Sequence, residues 1–179
     1  DSWMNPEARM ARADEGGFDL DRRLYHLTPN SFDEFIAGGP DGIDGQQAIF
    51  LTPNPLDQSA SHNVKHSTSG ANIIPVLTKT NSPLYVDEFN REEVMKRWGI
   101  TNREFPYLID TKTKSTLEKA GFDHIESETT FGDKTTTEII IFDPKNIRST
   151  NAEFDPTKAD SSDLLSSISP TQSSLRNIA

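Results

Sequence analysis

Glu138 is the residue whose setting best suits chemistry. It stands between Thr135 to Thr137 and the apolar run Ile139 to Phe142, within the stretch Thr135 to Ile147. β-Branched and aromatic residues suit a pleated, buried surface, and this run does not alternate, so a central strand covered on both faces is expected. A carboxylate at the point where a polar segment becomes a buried strand can be held rigidly by neighbouring backbone while it faces a cleft. That is a common mounting for a catalytic acid. His26 closes a second short strand, Arg23 to His26, just before Thr28, Pro29 and Asn30, and Phe50 lies in a third, Ala48 to Leu51. Taken singly, each has an ordinary reading: Glu138 as a solvated strand end, His26 as a satisfied strand-end histidine, Phe50 as core. His66 and His124 have no partner that the sequence names, and Glu126 and Glu128 read as the solvated face of a hairpin.

Composition narrows the classes. The 179 residues, 33% of them hydrophobic, suit one domain with one core. A net charge of -10 argues against a protein that holds nucleic acid by neutralising phosphates. There is no cysteine, so neither a disulfide framework nor a thiolate metal site is expected, and the four histidines form no helical pair around a glutamate. No metal is expected. No window approaches the roughly 20 apolar residues of a membrane span, and the opening DSWMNPEARM lacks the apolar core of a signal peptide. A soluble protein with no membrane partner is the expectation. Asp1 opens the chain without a methionine, which reads as a piece of something longer.

The elements that must carry these residues are short. Asn5, Pro6 and Glu7 read as a cap, a first-turn proline and a dipole-matched acid for a helix over Pro6 to Glu15. Helical spacing of Phe32, Phe35 and Ile36 follows the first strand, and Gly38 to Gly45 is too rich in Gly, Pro and Asp for regular structure. Asn54 and Pro55 open a helix toward His62, and Lys65 to Gly70 is a polar loop. Asn72 to Leu77 is a strong strand in which Pro75 indicates an edge or a bulge. Leu84 to Val86 is a strand, Asn90 caps a helix through Arg97, Thr101 to Thr113 is ambiguous, and Ser115 caps a short helix to Ala120. His124 to Ser127 and the Glu138 strand form a hairpin through Phe131, Gly132 and Asp133, and Ile147 to Ser149 adds a last short strand. From Thr157 the composition turns to Ser, Thr, Asp and Pro, too poor in apolar groups to offset the entropy of ordering. Residues 157–179 are therefore expected to be a flexible tail or linker after a single domain, 1–156. Short strands without a regular βα period indicate α+β.

Three stretches carry a resemblance. LYHLT (Leu24 to Thr28), AIFLTPNPLDQSASH (Ala48 to His62) and TEIIIFDPKNI (Thr137 to Ile147) follow the order and rough separation of the His, Tyr and Glu motifs. The chain thus resembles ADP-ribosyltransferases of the diphtheria toxin and poly(ADP-ribose) polymerase type. It is most similar to the transferase domains of polyvalent proteins of phages and mobile elements. Their GFD-like segment and later FDP correspond here to Gly17 to Asp19 and Phe154 to Pro156, and the resemblance spans most of Met10 to Pro156. It implies an ADP-ribosyltransferase-like split core of mixed and antiparallel β-sheet with short flanking helices.

The resemblance also implies an activity: NAD is cleaved between nicotinamide and ribose, and ADP-ribose passes to a host macromolecule in the bacterial cytoplasm. Glu138 would then be catalytic, stabilising the oxocarbenium-like charge and accepting a hydrogen bond from the ribose 2′-hydroxyl. The NAD-binding residues implied are Tyr25, His26, Leu27, Thr28, Phe50, Ser59 and His62. Among them His26 holds the ribose hydroxyls, the Leu27 backbone pairs with the carboxamide, Phe50 and His62 stack on the nicotinamide, and Ser59 donates to its carboxamide. The chain departs from the family at Leu27, where glycine is usual, and at Phe50 and His62, where tyrosine is usual. Thr136 replaces the Glu or Gln found two residues before the glutamate in arginine-modifying toxins, so an acceptor other than arginine is expected. Two alternatives stand beside transfer: hydrolysis of NAD, and an inactive module with a binding or structural role in a larger protein.

Overall fold

The computed structural model describes residues 3–28, 34–35, 45–55 and 72–165. All but the first two residues of the expected helix from Asn54 to His62, the loop Lys65 to Gly70, most of the segment from Phe32 to Gly45, and the site residues Ser59 and His62 lie outside them, as do residues 166–179. Among the described residues there are three short α-helices and seven strands. Helix α1 (Pro6–Glu15) is followed by β1 (Leu24–Thr28), β2 (Ile49–Leu51), β3 (Asn72–Thr78) and β4 (Pro83–Val86). Helices α2 (Arg91–Trp98) and α3 (Thr111–Lys119) then precede β5 (His124–Phe131), β6 (Lys134–Ile141) and β7 (Ile147–Ser149).

The strands form two sheets, so the α+β class holds. One is antiparallel, in the order β1-β3-β7; the other is mixed, in the order β2-β6-β5-β4, with β4 parallel to β5. Strand β6 is central, as its apolar run requires, and its alternate residues serve two cores. Ile139 and Ile141 join Ile49, Leu51, Leu24, Val76 and Ile147 in the layer between the sheets. Ile140 faces the other way, with Ile125, Leu84 and Val86, toward Val94 of α2 and Leu117 of α3. The hairpin between β5 and β6 turns on Gly132, whose φ of 65° suits the first position of a two-residue hairpin loop.

Pro75 lies within β3, the central strand of its sheet rather than the expected edge. Strand β7 pairs only with Val76 to Thr78, so the absent N–H of Pro75 lies beyond its end, where Thr150 N–H donates to the Pro75 carbonyl at 3.0 Å. Helix α3 starts four residues before the expected Ser115. Asp110 is its cap, accepting from Thr113 N–H at 2.7 Å, and buried Thr113 and Leu117 supply the inward face. Helix α1 clasps the chain after β7: Arg9 donates to the Thr150 carbonyl at 3.0 Å and Arg12 to the Glu153 carbonyl at 2.9 Å.

The expected domain end at residue 156 is corrected. Leu164 is 2% exposed and belongs to the layer between the sheets. Its carbonyl accepts from Ser149 N–H at 2.9 Å, and that of Leu165 accepts from Glu153 N–H at 2.9 Å. Buried Arg148 donates to the carbonyls of Lys158 at 3.2 Å and Ser161 at 2.6 Å. A composition average over the whole terminal stretch dilutes the pair Leu164–Leu165, and the docking depends on an arginine from a distant part of the sequence.

Candidate active site

The two sheets are joined at one point, where Tyr25 and Thr52 exchange two backbone hydrogen bonds of 2.9 Å. Beyond it they part. Antiparallel ladders alternate, so if Tyr25 bonds toward β2, Leu27 also directs its N–H and C=O away from β3, toward the level of Phe50. Phe50 in turn directs its carbonyl toward β1, since Thr52, two residues on, does so. The imidazole of His26 occupies the place of a ladder partner there, with Nδ1 3.0 Å from the Phe50 carbonyl oxygen. A carbonyl only accepts, so Nδ1 carries the proton.

Burial pushes the pKa of His26 below its ordinary value, and the bond to Phe50 offsets this only in part. The ring is therefore neutral near pH 7, with Nε2 as its accepting nitrogen. Its edge-to-face contact with Phe35, at 4.8 Å between centroids, fixes the plane.

Glu138 is 6% exposed, on β6 opposite Ser127 of β5. It is not a solvated strand end. Phe50 pairs with Ile140, so Glu138 and Phe50 are diagonal neighbours on one face of the sheet, a spacing within reach of long and aromatic side chains. Glu138 and Phe50 thus share the helix side of the mixed sheet, and His26 is tied to β2 through the Phe50 carbonyl, with the Leu27 backbone turned toward the same strand. Tyr25 makes the bridge with its backbone, while its half-buried side chain and that of Leu27 lie on the opposite face of β1 from His26. Thr28 is buried at the end of the strand, paired with Asn72.

Tyr107 was not legible as part of this face. Its hydroxyl lies 3.0 Å from Oγ1 of Thr129, on the Glu138 side of β5, while Gln46 donates to its carbonyl at 3.0 Å. It belongs to the ambiguous stretch before α3, where no periodicity shows which way a side chain points. Thr136 spends its hydroxyl on the Thr129 carbonyl at 3.2 Å. The GFD and later FDP segments meet elsewhere, Phe18 and Phe154 packing edge to face at 5.2 Å beside a cavity of about 360 Å³. Its lining includes Arg12 and Arg148, whose guanidinium groups already bond backbone carbonyls.

Comparison with protein-family models, with curated proteins and with solved structures finds no match. His124 and Glu126 lie in a separate polar cluster. Buried His124 has Nδ1 2.6 Å from Asp123 Oδ1 and Nε2 3.6 Å from Glu126 Oε1, and Glu126 pairs with Arg22. Glu126 is thus not the solvated hairpin residue expected. Burial pushes the Asp123 carboxyl up, but hydrogen bonds from His124 and from the amides of Asn81 and Ser82 outweigh it and hold it below its usual range.

Proposed function

We propose that this chain is an NAD-dependent mono-ADP-ribosyltransferase of the His-Tyr-Glu type, built on the split-sheet transferase fold. The observation that carries the reading is the parting of β1 from β2 beyond the Tyr25–Thr52 bridge. It leaves the Leu27 amide facing the split, His26 pinned to the Phe50 carbonyl and Glu138 diagonal to Phe50. Phe50 thus links the described parts of the three motifs, accepting from His26 and lying diagonal to Glu138.

Each group fits one part of NAD. The Leu27 backbone offers a donor and an acceptor to the nicotinamide carboxamide, which has both. The Phe50 ring stacks on the nicotinamide, and neutral His26 accepts from a ribose hydroxyl through Nε2. As the bond between ribose C1′ and the nicotinamide nitrogen breaks, its electron pair leaves with neutral nicotinamide and positive charge grows on the sugar. The Glu138 carboxylate stabilises that charge and accepts from the 2′-hydroxyl. A nucleophile of the acceptor then bonds to C1′ and releases its proton to solvent. The acceptor is a host macromolecule, and Thr136 with its hydroxyl engaged speaks against arginine. Residence in a bacterial host cytoplasm, as part of a phage or mobile-element protein, belongs to the same reading.

Labelled NAD incubated with the protein and a host lysate tests it. Label on a discrete band, lost in Glu138→Gln by on the order of 10²-fold or more, is the expected result. Label released only as ADP-ribose would instead show hydrolysis. Intact NAD, or a well-folded Glu138→Gln variant as active as the parent, overturns the assignment and leaves the binding module.

A further inference from the structure

We propose that residues 158–165 form a strap that positions His26 through Glu34 and Phe35, and so sets how tightly the site holds NAD. Its consequence for NAD rests on the function proposed above; its structural part does not.

The strap is pinned at both ends. Arg148, 2% exposed, donates to the carbonyls of Lys158 and Ser161, and the Leu164 carbonyl accepts from Ser149 N–H. Between these anchors the strap reaches the segment that links β1 and β2. Asp163 and Glu34 form an antiparallel bridge, and the Ser162 hydroxyl donates to the Glu34 carboxylate. The next residue, Phe35, is 5% exposed and shares the layer between the sheets with Leu164. Its ring meets the His26 imidazole at 4.8 Å and 88°. A hydrogen-bonded and packed path therefore runs from Arg148 through the strap to the imidazole at the split. The Phe50 carbonyl holds Nδ1 of that imidazole, the Phe35 ring bears on its plane, and the strap holds Phe35.

The test is Leu164→Ala in the full chain, with Leu164→Val as a milder variant, Leu164→Met as a conservative rescue and Leu117→Ala as a control in the other core. His26 ring protons are titrated by NMR without NAD, and NAD turnover is measured beside them. Loosening the strap should admit water to His26 and move its pKa up toward 6.5, the ordinary value, raising KM for NAD about fivefold with kcat little changed, the scale of one hydrogen bond. Leu164→Met should restore both, and Leu117→Ala should leave the titration of His26 where it was. If Leu164→Ala does not fold, Leu164→Val gives the same comparison. A His26 titration unmoved in a folded Leu164 variant overturns the strap, whether or not NAD is cleaved. A moved titration in a protein whose parent form neither binds nor cleaves NAD keeps the strap and rejects the transferase.

Discussion

A histidine that replaces a ladder partner has two duties, and they can be measured apart. His26 satisfies the Phe50 carbonyl through Nδ1, and under the proposed function its Nε2 accepts from a ribose hydroxyl of NAD. Contacts of this kind exist in the bound ground state as well as the transition state, so their loss raises KM more than it lowers kcat. His26→Ala and Phe50→Ala should each weaken NAD binding by roughly 1 to 3 kcal/mol, the scale of a lost hydrogen bond or buried ring contact. Phe50→Tyr should keep or improve affinity; isothermal titration of NAD into each variant decides. Acid stability gives a second measurement. The folded state disfavours protonated His26, so its contribution is whole above 6.5 and declines as pH falls from there toward the lowered value. Asp123 is depressed instead, so its contribution persists to about 3.8 and is lost as pH falls further through the folded value. Thermal melts across pH should show both declines, and His26→Ala should remove the upper one only. Glu138 and His26 stood out as candidates through the three motifs taken together, whereas Tyr107 did not, because only the folded chain brings its hydroxyl to Thr129.

Elements were readable where local chemistry decides them. Asn5, Pro6 and the glycines at 16 and 17 bound α1 as expected, and the β5–β6 hairpin follows its Gly-Asp turn. Helix α3 differs because its inward face is only Thr113 and Leu117 in a run of Lys and Thr, too faint a stripe to show a start at Asp110. Asp110→Ala should cost about 1 kcal/mol, the usual value of such a cap, while Ser115→Ala should cost much less. Chemical denaturation of the two variants checks the assignment. The strap was hidden for another reason: its anchors are backbone carbonyls and one distant arginine, and neither leaves a mark on local composition. Arg148→Met should destabilise the whole domain, since it strips donors from four backbone carbonyls while keeping most of the volume.

At the scale of the molecule, β6 is where the two cores meet. Ile139→Ala should cost about 2 to 5 kcal/mol through the layer between the sheets, and Ile140→Ala a similar amount through the helix side. Sharing one strand, the two cores should melt together, so calorimetry of either variant should show a single transition. The α+β class follows from short strands without a regular βα period, but the junction of the two sheets rests on the Tyr25–Thr52 bridge, which no motif announces. Strand order has one more consequence, for the time at which the site comes into being. The β5–β6 hairpin closes over a two-residue turn, whereas β1, β2 and β7 find their partners across long stretches of chain. Because local contacts form at little entropic expense, the hairpin should nucleate folding, with high φ-values there and low ones in β1. During synthesis β1 and β2 leave the ribosome long before β6 exists to receive them. An emerging chain therefore carries His26 and Phe50 unassembled until Glu138 has been made, so a protein truncated before that strand should have neither a core nor a partial activity.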